Sequence, residues 1–145
     1  MGKAELGKVP IFNIFFKRMN ILVNRGSIVG GHKAFQRADF ELKHGKNVVI
    51  FPEGGILDIA PKLSRFKNGA FKLAIENNVP IIPITFLDNY RLLQDSFVGL
   101  SGPGRARVIV HKAIETKDLS QDDLVSLREG VFTLIDNTIK RNIKV

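Results

Sequence analysis

His44-Gly45-Lys46-Asn47-Val48-Val49-Ile50-Phe51-Pro52-Glu53-Gly54-Gly55, residues 44–55, decides the fold class. Its first two residues close a helical pattern in which Gly31, Phe35, Ala38 and Leu42 recur on one face. Residues 48–51 (VVIF) form a short, fully apolar, β-branched run that reads as a buried strand, and Pro52 with two glycines breaks it. A helix feeding a buried strand is the repeating unit of an α/β fold.

Working outward, the same alternation continues. Upstream, Pro10 suits the first turn of a helix to about residue 19, and residues 20–24 (NILVN) read as a strand ending at Arg25-Gly26. Downstream, a loop carrying Lys62, Arg65 and Lys67 leads into a helix over about residues 70–76, which Asn77-Asn78 ends. Residues 80–86 (PIIPITF) read as another buried strand, with prolines that favour a strand start or an edge, and residues 107–111 as a later strand near an edge. Leu124, Leu127, Val131, Leu134 and Thr138 make the apolar stripe of a last helix, capped by Ser120 with Asp122 and Asp123 in its first turn. That helix reads as core scaffold with little chemistry. No repeat or linker divides the chain, so the expectation is one three-layer α/β/α domain with a mixed sheet over residues 1–145.

Composition narrows the function classes. The 145 residues include 44% hydrophobic, enough for an ordinary core, and no cysteine, which excludes disulfides, thiolate metal sites and a cysteine nucleophile. The formal charge of +8 draws the protein to anions: nucleic acid, an acidic bilayer or phosphorylated small molecules. No zinc pattern, recognition helix or base-stacking platform accompanies that charge, so nucleic acid is not expected. No apolar run reaches the roughly 20 residues needed to cross a bilayer. Residues 9–16 (VPIFNIFF), followed by Lys17 and Arg18, suit either a membrane interface or a core-facing helix.

The candidate chemistry lies after strands. Glu53 follows residues 48–51 and Pro52, and Gly54 and Gly55 let backbone N–H groups turn toward an anion or a hydroxyl; a turn with a solvated glutamate is the plainer alternative. Arg25 closes one strand and Lys67 precedes a helix, so several cations are expected to converge at one end of the sheet, where a phosphate would bind; each alone reads equally as a surface group.

The order of blocks then becomes specific. Lys3-Ala4-Glu5-Leu6 with Pro10 and Phe12, Ile21-Leu22-Val23-Asn24-Arg25, Phe51-Pro52-Glu53-Gly54, Phe66-Lys67-Asn68-Gly69-Ala70 and Val79-Pro80-Ile81-Ile82-Pro83-Ile84 together resemble the lysophosphatidate acyltransferase family over residues 3–86. The resemblance implies transfer of a fatty acyl group from acyl carrier protein or coenzyme A to the free hydroxyl of a lysophospholipid such as 1-acyl-glycerol-3-phosphate. It also implies peripheral attachment to an anionic membrane surface on the cytoplasmic face, with no cofactor or metal. Arg25 matches the arginine associated with the glycerol phosphate, Glu53 and Gly54 the block that helps bind the glycerol, and Pro80 and Pro83 the block linked to the acyl donor or to packing. Lys3 and Lys67 match lysines assigned to the polar rim. The chain departs from the pattern at Asn13, at Asn24 and at Gly55-Ile56-Leu57, where the family has Gly, Asp and Thr-Arg-Ser; Arg65 or Lys62 is the candidate replacement for the phosphate-binding arginine.

Acyl transfer to an alcohol needs a base, which the family supplies as His, four residues, then Asp. His32, His44 and His111 are followed five positions on by Arg37, Val49 and Thr116, so that block is absent. His32 and Asp39 lie about 10 Å apart along a helix, beyond a hydrogen bond. His44 reads as helix termination and His111 as a strand exit. No catalytic residue is therefore assigned, and the expectation is a chain that begins after the catalytic block and is inactive alone, with a sheet edge available for self-association. A non-catalytic lipid- or phosphate-binding module is the alternative.

Overall fold

A computed structural model describes residues 2–3, 21–23, 28–55, 60–92 and 102–143. The chain forms two compact units, Met1–Gly55 and Ile56–Val145. The expected helix over residues 10–19, the apolar run at 9–16 with Lys17 and Arg18, and Arg25 all lie outside the described residues.

In the first unit, β1 (Gly2–Lys3) pairs in parallel with β2 (Leu22–Val23), in the register Gly2 to Leu22 and Lys3 to Val23. Helix α1 (Ile28–Lys43) lies against β2. Its buried positions are Ala34, Ala38 and Glu41, while Phe35 and Leu42 are half-buried and Gly31 is exposed. The inward face is thus rotated from the expected stripe: two alanines pack closely, and a carboxylate takes the third position because Arg37 and Lys46 both pair with it. The Lys46 ammonium, and then the Arg37 charge, hold the Glu41 carboxyl below its ordinary range. The helix ends as its sequence predicts. Gly45 adopts φ +73°, its N–H donates to the Leu42 carbonyl (2.9 Å) and the Lys46 N–H to the Glu41 carbonyl (3.0 Å).

Residues 46–51 are irregular, which corrects the expected buried strand. Val49 and Phe51 are 63% and 60% exposed, with Val48 and Ile50 half-buried. Residue types that suit a pleated surface make a strand only where a neighbouring strand completes the ladder.

The second unit holds α2 (Gly69–Asn77), β3 (Ile84–Phe86), the single turn α3 (Asn89–Leu92), β4 (Val108–Val110) and α4 (Leu124–Asn142). Phe66, Phe71, Ile75, Leu124, Leu127 and Val131 form its buried core, where α2 packs on α4. Fully burying each such side chain contributes about 1.5–3 kcal/mol. Asn78, at φ 51°, closes α2; its N–H and that of Val79 reach the Ile75 and Ala74 carbonyls. Ser120 caps the C-terminal helical segment as expected, through a reciprocal box with Asp123, although the first turn, Gln121–Asp123, is a 3-10 helix.

β3 and β4 pair antiparallel, Ile84 to Val110 and Phe86 to Val108, and the pairing extends to Leu87 with Arg107 and Pro83 with His111. Ile81 bridges Ile114, so Ile82 faces both Lys112 and Ala113, a one-residue bulge. The segment at 80–86 is not buried on both sides, contrary to expectation. Pro83, Thr85 and Leu87 point inward, whereas Ile82, Ile84 and Phe86, with Val108 and Val110 beside them, are exposed. The α/β class holds. Both senses of pairing that a mixed sheet requires are present, in two separate two-stranded sheets among the described residues.

Asp88 ties the β3–β4 end together. Its carboxylate is buried and accepts from the Arg107 backbone N–H (2.9 Å), from Arg107 Nε and Nη2 (2.8 Å each) and from Arg91 Nη2 (2.6 Å). These donors, Arg107 first, hold its carboxyl far below the usual range against the opposing effect of burial.

Candidate functional site

In the first unit, Pro52 and Glu53 occupy the centre of a turn closed by the Gly54 N–H on the Phe51 carbonyl (3.2 Å). Gly54 has φ +74°, a conformation that a side chain would strain, so its glycine is required by the backbone. Gly55 has open space where a Cβ would stand. Glu53, Gly54 and Gly55 are half-buried, and the turn presents a carboxylate beside two glycines that allow close approach to the backbone.

In the second unit, residues 65–67 alternate in direction. Phe66 is 4% exposed and packs its ring edge-on against Phe132 (centroids 5.1 Å) and parallel to Phe71 (6.4 Å), while Arg65 and Lys67 on either side stand in solvent. One buried aromatic therefore sets two cations on the surface at the start of α2. Behind them is a third. Arg128 is buried, its Nη1 donates to Asn68 Oδ1, and its Nε and Nη2 donate to Glu129 Oε1 (3.0 and 2.7 Å). Two shallow depressions share Arg65 and Phe66: one of about 470 Å³ reaches Lys67, Asn68 and Arg128, and one of about 290 Å³ reaches Glu129 and Phe132. Three cations against one carboxylate line this surface, and the α2 N-terminus adds its partial positive charge. Such a surface attracts a phosphate or carboxylate.

Of the predicted residues, Arg65 and Lys67 thus lie together, and Glu53, Gly54 and Gly55 form their turn. The backbone of Lys3 is in β1; Arg25, and with it the expected convergence on Lys67, lies outside the described residues. Lys62 is exposed. Arg128 was not anticipated, because the last helix reads as scaffold. Its signal was a cation one turn after Leu124, on the stripe that holds Leu127 and Val131.

The histidines sit as their sequence contexts suggest. His44 Nδ1 is 2.7 Å from the Phe40 carbonyl at the end of α1, and His111 Nε2 is 2.8 Å from the buried Thr85 hydroxyl at the exit of β4. His32 is exposed on α1, and Asp39 pairs with Lys43 (2.7 Å). Thr116, five positions after His111, is buried with its hydroxyl donating to the Val79 carbonyl (2.8 Å).

Comparison with known proteins agrees with the block order. The family described as Acyltransferase matches residues 1–87. A 1-acyl-sn-glycerol-3-phosphate acyltransferase of Chlamydomonas reinhardtii is 32% identical over 115 residues, covering 79% of this chain and 34% of that protein. The enzyme of that name from Borreliella burgdorferi is 26% identical over 145 residues, covering 99% of this chain and 56% of that protein. The crystal structure of the 1-acyl-sn-glycerophosphate acyltransferase PlsC from Thermotoga maritima has the same fold, with a TM-score of 0.77 at 24% identity over 97% of this chain and 54% of that one. The chain spans 34% to 56% of the length of these relatives. With its blocks in order, its α/β fold and a match over residues 1–87, the chain belongs to the Acyltransferase family, and its named relatives are 1-acyl-sn-glycerol-3-phosphate acyltransferases.

Proposed function

We propose that this chain contributes acceptor recognition to an O-acyltransferase that moves a fatty acyl group from an acyl thioester to the free hydroxyl of a lysophospholipid such as 1-acyl-glycerol-3-phosphate, in phospholipid synthesis. The observation that carries the reading is the pair Arg65 and Lys67, set outward by buried Phe66 beside an α-helix N-terminus, in a segment that the family match covers. That match crosses both compact units, which supports a single domain.

The roles are assigned element by element. Lys67 and Arg65 attract the acceptor's phosphate, Arg65 in place of the family arginine absent at Ile56. The turn at Glu53, Gly54 and Gly55 is assigned the glycerol, with Arg25 on the phosphate and Lys3 on the polar rim by family resemblance. In the reaction the acceptor oxygen bonds to the thioester carbonyl carbon, its proton passes to a base, and the carbon–sulfur bond breaks to release the thiol. The acyl donor, acyl carrier protein or coenzyme A thioester, is a co-substrate, so no cofactor or metal is required.

The base is the part this chain does not supply. No histidine here has an Asp five positions on, and His44 and His111 are engaged at a helix end and a strand exit. We assign the base to a His-x4-Asp block outside these 145 residues, with the chain inactive without it. A non-catalytic phosphate- or lipid-binding module is the second reading, favoured by the same missing block. The net charge of +8 supports work at the anionic cytoplasmic face of a membrane, as a peripheral protein.

Acceptor choice tests the reading. A protein joining this chain to a His-x4-Asp block should convert lysophosphatidate to phosphatidate with an acyl thioester and leave monoacylglycerol, which lacks the phosphate, largely untouched. Equal turnover of both acceptors contradicts phosphate recognition.

A further inference from the structure

Arg128 is a charged group in a place where packing alone asks for an apolar one. It lies between Leu127 and Val131 on the inward face of α4, 6% exposed, and its guanidinium spans 60 positions of sequence to reach Asn68. The Glu129 end of its ion pair is 57% exposed, and a pair open to solvent adds little to stability. Its contacts suggest a different role.

Asn68 precedes the first residue of α2, where an Asn side chain ordinarily accepts from the N–H groups of the first turn with an extended backbone. Here its backbone is helical (φ −68°, ψ −22°) and its side chain makes no capping bond, because Oδ1 is turned to Arg128 Nη1. Glu129 takes the other side of the guanidinium through Nε and Nη2, which orients the fork and balances its charge. Lys67 is consequently held between two anchors: Phe66 in the core before it and Asn68 on Arg128 after it.

We propose that Arg128 is a positioning residue for acceptor recognition, holding Asn68 so that Lys67 is presented at a fixed place on the surface. This rests on the reading of Lys67 as a phosphate contact. A lysine cannot substitute, since one ammonium does not reproduce the planar fork that joins Asn68 to Glu129.

The test is titration of the full chain with sn-glycerol 3-phosphate, following binding by calorimetry and the amide signals of residues 66–70 by NMR. Arg128→Met, Arg128→Lys, Asn68→Ala, Lys67→Ala and the double variant Arg128→Lys/Asn68→Ala are compared, with thermal melting as the check on folding. Arg128→Met, Arg128→Lys and Asn68→Ala are each expected to weaken binding on the order of tenfold, and the double variant no more than Arg128→Lys alone, since both substitutions break one contact. A purely structural arginine would lower the melting temperature and leave affinity in place. Unchanged affinity in folded Arg128→Lys, or effects that multiply in the double variant, while Lys67→Ala loses binding, overturns the positioning role and leaves the Lys67 reading standing. No binding by the parent chain, or equal binding by Lys67→Ala, overturns that reading and the proposal with it.

Discussion

At the scale of single residues, conformation and charge make separate demands. Gly54 meets a conformational one: at φ +74° it closes the turn that carries Glu53. Gly54→Ala is expected to destabilise the protein by about 1 kcal/mol through backbone strain, read as a lower midpoint in urea unfolding. Asp88 meets an electrostatic one. Because its folded carboxyl is held far below the ordinary aspartate value of 3.8, its contribution to stability is complete above that value and is lost as pH falls below it. Thermal melts between about pH 6 and pH 2 should fall more steeply for the parent than for Asp88→Asn, which is expected to be less stable at neutral pH; parallel curves would contradict this assignment. Lys67 is the proposed phosphate contact. In an active protein containing this chain, Lys67→Ala should raise the KM for lysophosphatidate on the order of tenfold while the KM for the acyl thioester stays in place.

At the scale of elements, the stability of the second unit depends on α2 against α4. Leu127→Ala removes a buried side chain from that contact and should cost about 2–5 kcal/mol in denaturant unfolding, whereas Ser120→Ala, which removes the cap, should cost about 1 kcal/mol. The cross-strand pairs Ile84 with Val110 and Phe86 with Val108 leave an apolar face in solvent, and such a face promotes association. Sedimentation velocity should show a concentration-dependent shift to larger species that Phe86→Ser with Val110→Thr reduces.

Which elements were legible in the sequence follows from how far apart their determinants lie. The end of α1 at His44-Gly45, the stop of α2 at Asn77-Asn78 and the cap at Ser120 depend on neighbouring residues, and each occurs where the sequence places it. Residues 48–51 carry every local mark of a strand and are irregular, because a strand is completed by a partner that local sequence does not specify. The pairing of Asp88 with Arg107, 19 positions apart, left no local mark either. Lys67 stands in the Phe66-Lys67-Asn68-Gly69 block and Arg65 was one of two candidate replacements in the loop before it, but Arg128 behind them was visible only as a cation on an apolar stripe.

At the scale of the whole molecule, acceptor recognition and proton transfer to a base are proposed to lie in different parts of the protein. Arg65 and Lys67, the proposed anion contacts, stand in solvent on either side of buried Phe66, and none of the three histidines is followed five positions on by an aspartate. Thioester-dependent formation of phosphatidate from lysophosphatidate, measured for this chain and for a version extended upstream to include any encoded His-x4-Asp block, tests that division. Product is expected from the extended protein alone. Turnover by the 145-residue chain, abolished by replacing His32, His44 or His111, would contradict it and place the base among those three.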